Sequence, residues 1–246
     1  MSETATELRA LKLFEVFGRV KRPLRLSDLS RELEVPVSSC FALVRRLVAE
    51  GYLYEPADRK GFYPTGKMAQ NTRAISAADP VLNLAERFLE RLRDESDETV
   101  TFGRRSGQGA VYLLAFESNQ TIRLAGRAGL TRPLHTVAMG KALLAAMPAD
   151  ERAELLKTYS FEARTPRTLQ SAAELELELS KQREDGVFVS REESMAGAMA
   201  LAMPVTLNGE TYAAQVAGPV ERVEARFRAI ADILRAVTAD LEAAGP

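Results

Sequence analysis

Four short features of this chain carry residue types that could do chemistry. Gly61-Phe62-Tyr63-Pro64-Thr65-Gly66-Lys67-Met68 nearly fits a glycine-rich phosphate loop, in which backbone N–H groups cradle phosphates and a hydroxyl holds magnesium. Met68 stands where that hydroxyl belongs, and the stretch follows a hairpin-like segment rather than a buried strand, so nucleotide binding is not expected. His135 is the single histidine, and no G-x-S-x-G turn accompanies it. Cys40 is the single thiol; it falls on the inward stripe of a helix, where a thiol acts as packing rather than as a redox sensor. Glu192-Glu193 could act as paired carboxylates, but an acidic pair beside a strand reads as a solvated edge. One cysteine and one histidine exclude an intramolecular disulfide framework, any Cys-rich zinc site and most His-based metal centres. No metal, no cofactor and no catalysis are expected.

The elements that hold these residues suggest a different chemistry. Leu13, Val16, Phe17 and Val20 recur at helical spacing and mark a first helix to about Lys21, with Pro23 beyond it. Ser27 is the expected N-cap of a second helix carrying Leu29 and Leu33, with Leu26 before it as a hydrophobic staple. Glu34-Val35-Pro36-Val37 breaks the chain, and a third helix follows with Cys40, Leu43, Val44 and Leu47 facing inward, ending at Gly51. Two short helices across a tight turn form a helix-turn-helix. On the outward face of the third helix, Ser38, Ser39 and Ala42 stand where base edges would be approached, with Arg45 and Arg46 further along for phosphate or base contacts. Tyr52-Leu53-Tyr54 and Phe62-Tyr63-Pro64 then read as a hairpin wing whose tip places Arg59 and Lys60 on phosphates or the minor groove.

Residues 65–78 are polar and alanine-rich and read as an exposed connecting helix. Asp79-Pro80 restarts the chain, Asp as N-cap and Pro at the first helical position, with Val81, Leu84, Ala85, Phe88 and Leu92 on one face. Beyond it the period changes to that of strands: Thr99–Phe102, Ala110–Phe116 across the turn Ser106-Gly107-Gln108-Gly109, Thr121–Leu124, Gly186–Val189, and Met199–Leu207 with Thr211–Ala217 across Asn208-Gly209-Glu210. Helices are expected from Met139 to Met147, from Asp150 to Lys157, from a capping box at Ser171–Glu174 to Asp185, and in one final helix from Val223 to Leu241. The sum is an α+β fold: residues 1–64 as a winged helix-turn-helix, 65–78 as a connecting helix, and 79–246 as a domain around an antiparallel sheet of about six strands.

The charge follows the same division. Residues 1–78 carry 13 Lys+Arg against 9 Asp+Glu, and residues 79–246 carry 20 against 25, so the basic surplus lies in the first segment although the whole chain is at −1. The Met1-Ser2-Glu3-Thr4 start lacks a signal peptide's basic and apolar regions, and no stretch approaches the ~20 apolar residues of a membrane span. A cytoplasmic protein without a membrane partner is expected.

Several spaced segments together resemble the IclR family of bacterial transcription regulators. They are Leu33-Glu34-Val35-Pro36-Val37-Ser38-Ser39 through Gly51-Tyr52-Leu53; Pro133-Leu134-His135 through Gly140-Lys141-Ala142-Leu143-Leu144; Thr165-Pro166-Arg167-Thr168; Gly186, Ser190 and Glu193; Ala200-Leu201-Ala202-Met203-Pro204-Val205; and Gly218-Pro219. The resemblance covers essentially the whole chain. It implies a GAF-like second domain, a homodimer or a tetramer built as a dimer of dimers, an operator in double-stranded DNA, and a small-molecule effector. The implied effector positions are His135, Ala138, Met139, Gly140, Ser190, Glu193, Ala200, Gln215 and Ala217. His135 could line the pocket or simply cap the helix beginning near Ala138. An anion is expected at that helix N-terminus, where unpaired N–H groups and the helix dipole attract negative charge. The chain departs from the family pattern at Ala200, Gln215, Ala217, Ser190 and Met139. The loss of hydroxyl and thiol partners implies a larger, partly apolar ligand such as an aromatic acid. Ala42 stands where the family often has Arg, so the operator is not transferable. The alternative is an architectural or effector-independent DNA-binding protein whose second domain only oligomerises.

Overall fold

Leu13, Val16 and Phe17 fall on one side of helix α1 (Thr4–Val20), which ends where Lys21 turns left-handed at φ 54°. They pack with Leu29 of α2 (Leu26–Glu32), Cys40 and Val44 of α3 (Val37–Ala49) and Leu53 of β1 (Leu53–Tyr54). β1 pairs antiparallel with β2 (Tyr63–Pro64), and α4 (Lys67–Ala77) follows. The computed structural model describes residues 4–56 and 61–245, and the chain divides into two compact units between Ala78 and Asp79. Arg59 and Lys60 lie outside the described residues.

The expected N-cap at Ser27 is corrected. α2 begins two residues earlier, at Leu26, with Arg25 as its N-cap. The Asp28 carboxylate accepts the Arg25 N–H at 3.3 Å, so the third-position acid rather than the serine satisfies this helix end. α3 closes as expected from Gly51: at φ 72° it lets its own N–H reach Val48 O at 3.0 Å and the Tyr52 N–H reach Leu47 O at 2.8 Å. The near-phosphate loop has a structural account. A Cβ on Gly61 would lie 2.8 Å from Leu24 O, across the bridge between Leu24 and Phe62. Lys67 Nζ donates to Glu50 O at 2.7 Å, at the end of α3, and lies 4.4 Å from the centre of the Tyr52 ring.

The second unit begins with α5 (Pro80–Ser96), capped by Asp79 Oδ1, which accepts from Val81 N and Leu82 N at 3.1 and 3.0 Å. β3 (Thr99–Ser106), β4 (Gly109–Phe116) and β5 (Thr131–Pro133) follow, then a 3-10 turn at Leu134–Thr136. Next come α6 (Ala138–Ala146), α7 (Ala149–Lys157) and α8 (Ala172–Arg183). β6 (Phe188–Arg191), β7 (Ala198–Leu207) and β8 (Glu210–Pro219) complete a six-stranded antiparallel sheet in the order β5-β4-β3-β8-β7-β6. Asn208 and Gly209, both at positive φ, make the tight β7–β8 turn. α9 (Val220–Ala225) and α10 (Phe227–Ala244) end the chain.

Alternation along the strands sorts side chains onto two faces. Val100, Phe102, Leu201, Ala214 and Val216 pack under α5 and α10 with Leu89, Leu92, Ile230 and Leu234. The opposite face carries Ala110, Tyr112, Phe188, Ala202 and Ala213 against α6 and its neighbours.

Two further expectations fail. Thr121–Leu124 is not a strand: Arg123 turns to Glu117 at 3.0 Å, Leu124 O accepts from Thr99 Oγ1 at 2.6 Å, and Ile122 is exposed. The strand that pairs with β4 is β5, at Thr131–Pro133. The final helix is two helices, broken at Arg226, whose guanidinium donates to Ser96 O at 2.7 Å at the end of α5.

Candidate functional site

The first unit presents α3. Cys40 and Val44 are buried and hold the helix down, while Ser38, Ser39, Ala42, Arg45 and Arg46 are all exposed. Burial raises the Cys40 thiol pKa, which keeps it protonated. Ser30 Oγ donates to Val35 O at 2.6 Å across the turn into α3, which fixes its approach. Arg19 pairs with Glu32 and Arg31 with Asp28, whereas no carboxylate engages Arg45 or Arg46 among the described residues. Sequence reasoning missed Phe41 and Val37, which lie 51% and 54% exposed on the same helix. An apolar residue on a predicted outward face was the available signal.

The second unit holds a cavity of about 210 Å³ over the α6 face of the sheet. Register puts Thr99, Ala217, Ala200 and Ser190 in one row across β3, β8, β7 and β6, with Thr101 beside Gln215 in the next. Tyr112 and Arg132 line the β4–β5 end, and Leu124, Val137 and Met195 add apolar wall. Four expected effector positions therefore line one space: Ser190, Ala200, Gln215 and Ala217. His135, Ala138, Met139, Gly140 and Glu193 do not line it.

Each of those five has another partner. Met139 N, at the start of α6, donates to Gln215 Oε1 at 2.9 Å, so a side chain already takes the amide expected to meet an anion. Ala138 and Met139 are fully buried in the α6 core. A Cβ on Gly140 would lie 2.1 Å from Leu134 O, so this glycine serves the close approach of α6 to the preceding turn. His135 Nδ1 lies 3.0 Å from Tyr159 Oη, and Nε2 lies 3.2 Å from Glu162 O. Because a carbonyl only accepts, Nε2 carries the proton and Nδ1 accepts from the phenol. The expected solvated edge at Glu192-Glu193 is corrected: Glu193 is buried, with Oε1 2.7 Å from the fully buried Lys141 Nζ. Lys141 also donates to Val189 O at 2.8 Å. Burial raises the Glu193 pKa, and the ammonium pulls it back down. Thr165 and Thr168 donate to Glu192 O and Glu193 O, both at 2.6 Å, which braces the loop leading to Met195.

The cavity's own polar groups form a chain through Gln215. Its Nε2 donates to Thr101 Oγ1 at 3.2 Å and to Tyr112 Oη at 3.4 Å. Arg132 was missed from sequence because no strand was expected at Thr131–Pro133, whereas Thr101 and Tyr112 lie on expected strands whose cavity-facing side the sequence did not mark. Without that strand, nothing aimed Arg132 inward. Ser190 Oγ donates to Thr136 O at 2.8 Å. Among the described residues no group of three or more His, Cys, Asp or Glu side chains could hold a metal, and no helix is long and apolar enough to cross a membrane.

Comparison with known proteins bears on both units. Residues 73–243 match the family model described as bacterial transcriptional regulator IclR C-terminal, and residues 8–56 match the IclR helix-turn-helix domain. The HTH-type transcriptional repressor AllR of Escherichia coli K12 is 29% identical over 223 residues, covering 89% of this chain and 82% of that one. The IclR structure from Thermotoga maritima superposes with a TM-score of 0.81 at 23% identity, covering 98% of both chains. An IclR homologue from Microbacterium hydrocarbonoxydans, solved with 4-hydroxybenzoate, gives 0.74 at 19% identity, covering 97% of this chain and 98% of that one. At these identities the structural likeness establishes the fold.

Proposed function

This chain belongs to the IclR family of bacterial transcriptional regulators, with a helix-turn-helix DNA-binding domain and a C-terminal effector-binding domain, and we propose that its cavity takes a small aromatic acid that alters operator binding. The observation that carries the reading is the cavity itself. Four departures from the family pattern meet there, and its floor is small and apolar at Ala200 and Ala217. An apolar cavity of about 150 Å³ accepts benzene, so about 210 Å³ suits one ring with a polar substituent. The complex of the Microbacterium homologue with 4-hydroxybenzoate supports the same ligand class.

On the DNA side, Ser38, Ser39 and Ala42 approach base edges, Arg45 and Arg46 contact bases or phosphates, and Arg59 and Lys60 extend the contact from the wing. Residues 1–64 read DNA, 65–78 connect, and 79–246 bind effector and oligomerise. The protein works in the cytoplasm as a homodimer or tetramer.

The test is fluorescence anisotropy with DNA from upstream of the protein's own gene against scrambled DNA, at two salt concentrations and with and without aromatic acids. A specific complex several orders tighter than the control, shifted by an acid, is expected. Arg45→Ala or Arg46→Ala should cost about 1–3 kcal/mol if the arginine reads a base, and should flatten the salt slope if it meets a phosphate. Specific binding indifferent to every acid tried would favour a second domain that only oligomerises.

A further inference from the structure

Gln215 has one possible orientation. The Met139 N–H can only donate, so Oε1 faces it at 2.9 Å and the amide nitrogen points the other way, at Thr101 Oγ1 and Tyr112 Oη. Both hydroxyl oxygens therefore act as acceptors toward Gln215, which leaves each O–H free to donate into the cavity. Burial raises the Tyr112 pKa, with Gln215 and Arg132 drawing it back, and a raised value keeps the phenol a donor at neutral pH. Beside them stands Arg132, whose guanidinium offers five N–H groups and no acceptor. Arg123 and Arg164 are paired with Glu117 and Glu162, whereas no carboxylate engages Arg132 among the described residues. One end of the cavity is thus a set of donors around an unneutralised cation.

We infer that Arg132, Tyr112 and Thr101 form a carboxylate anchor at the β4–β5 end of the cavity, and that Gln215 is the positioning residue that turns the two hydroxyls toward the ligand. The inference rests on the cavity being the effector site. It moves the anion away from the α6 N-terminus, where Gln215 already takes the Met139 amide, to the strand edge. The ring lies over Ala217 and Ala200, where no polar side chain competes with it. A planar carboxylate suits a guanidinium because two parallel N–H donors match its two oxygens.

The experiment is calorimetric titration of the full chain with benzoate, 4-hydroxybenzoate and phenylacetate, alongside benzamide as a neutral analogue of the first. For the wild type, at least one acid should bind roughly 10-fold or more tighter than benzamide. Arg132→Gln should weaken that acid by roughly 10- to 100-fold while leaving benzamide within about 2-fold. Tyr112→Phe should weaken it by a smaller factor with the same selectivity, and serves if Arg132→Gln melts at a lower temperature than the wild type. Equal acid binding by the wild type and both variants overturns the anchor and leaves the effector cavity standing. So does a wild type that prefers benzamide. A wild type that binds none of the four at millimolar concentration overturns both readings.

Discussion

His135 sits between the edges of the Tyr159 and Phe161 rings, at 5.4 and 5.1 Å between centroids, with both ring nitrogens partnered. Burial lowers its pKa against the weaker pull of the Glu162 carbonyl. An unfolded histidine takes up its proton near pH 6.5, whereas the buried one resists until lower pH, so between those values the unfolded chain binds more protons. Stability should therefore fall as pH drops below about 6.5, by up to about 1.4 kcal/mol per pH unit. Glu193 is shifted upward by burial and contributes with the opposite sign as pH falls through its raised value. The check is urea denaturation from pH 7.5 to 5.5 on the wild type and His135→Gln: the difference between them should shrink as pH falls. A constant difference would mean that His135 titrates normally. The sequence showed that His135 was unusual but left its role open, because its partners Tyr159 and Glu162 lie 24 and 27 residues away. Gln215 was legible as a departure, yet its bond to Met139 joins positions 76 residues apart.

Helix α4 is exposed from Ala69 to Ile75, the latter to 72%. Its start is fastened to the end of α3: Thr65 Oγ1 donates to Gly51 O and Lys67 Nζ to Glu50 O, both at 2.7 Å. If α3 reads DNA as proposed, a lever rooted on its C-terminal end is suited to pass a change at residue 79 to its exposed face. Replacing residues 68–77 with a Gly/Ser segment should leave operator affinity within a few-fold and abolish its response to effector. Anisotropy with and without the acid decides, and an unchanged response rejects the lever. Most element ends fixed by local chemistry were legible: Asp79 capping α5, Ser171 accepting from Glu174 N at 3.2 Å, Gly51, and the Asn208-Gly209 turn; at α2 the acid Asp28 took the role expected of Ser27. Ends fixed by distant groups were not. The run at Thr121–Leu124 has the composition of a strand, but its carbonyl at Leu124 is taken by a Thr99 hydroxyl 25 residues away. The apolar stripe from Val223 to Leu241 continues through Arg226, and only the Ser96 carbonyl shows why the helix breaks there.

At the scale of the molecule, a basic reader and an acidic sensor share one chain, and linkage requires their effects to be mutual. If an acid shifts operator affinity by some factor, operator DNA shifts the acid's affinity by the same factor. Calorimetry with and without bound operator should return the ratio that anisotropy gives. Sedimentation of the full chain should show two or four copies of the 27.0 kDa protomer, and a protomer-sized species at micromolar concentration would overturn the oligomer. The strands that floor the cavity carry their two jobs on alternate residues. Thr99, Thr101, Gln215, Ala217 and Ala200 face the cavity, while Val100, Phe102, Val216 and Leu201 between them face α5 and α10. The cavity-facing positions can therefore change while the neighbouring set keeps the domain folded. The same separation would let an engineer retune the cavity into a sensor for a new acid without redesigning the scaffold.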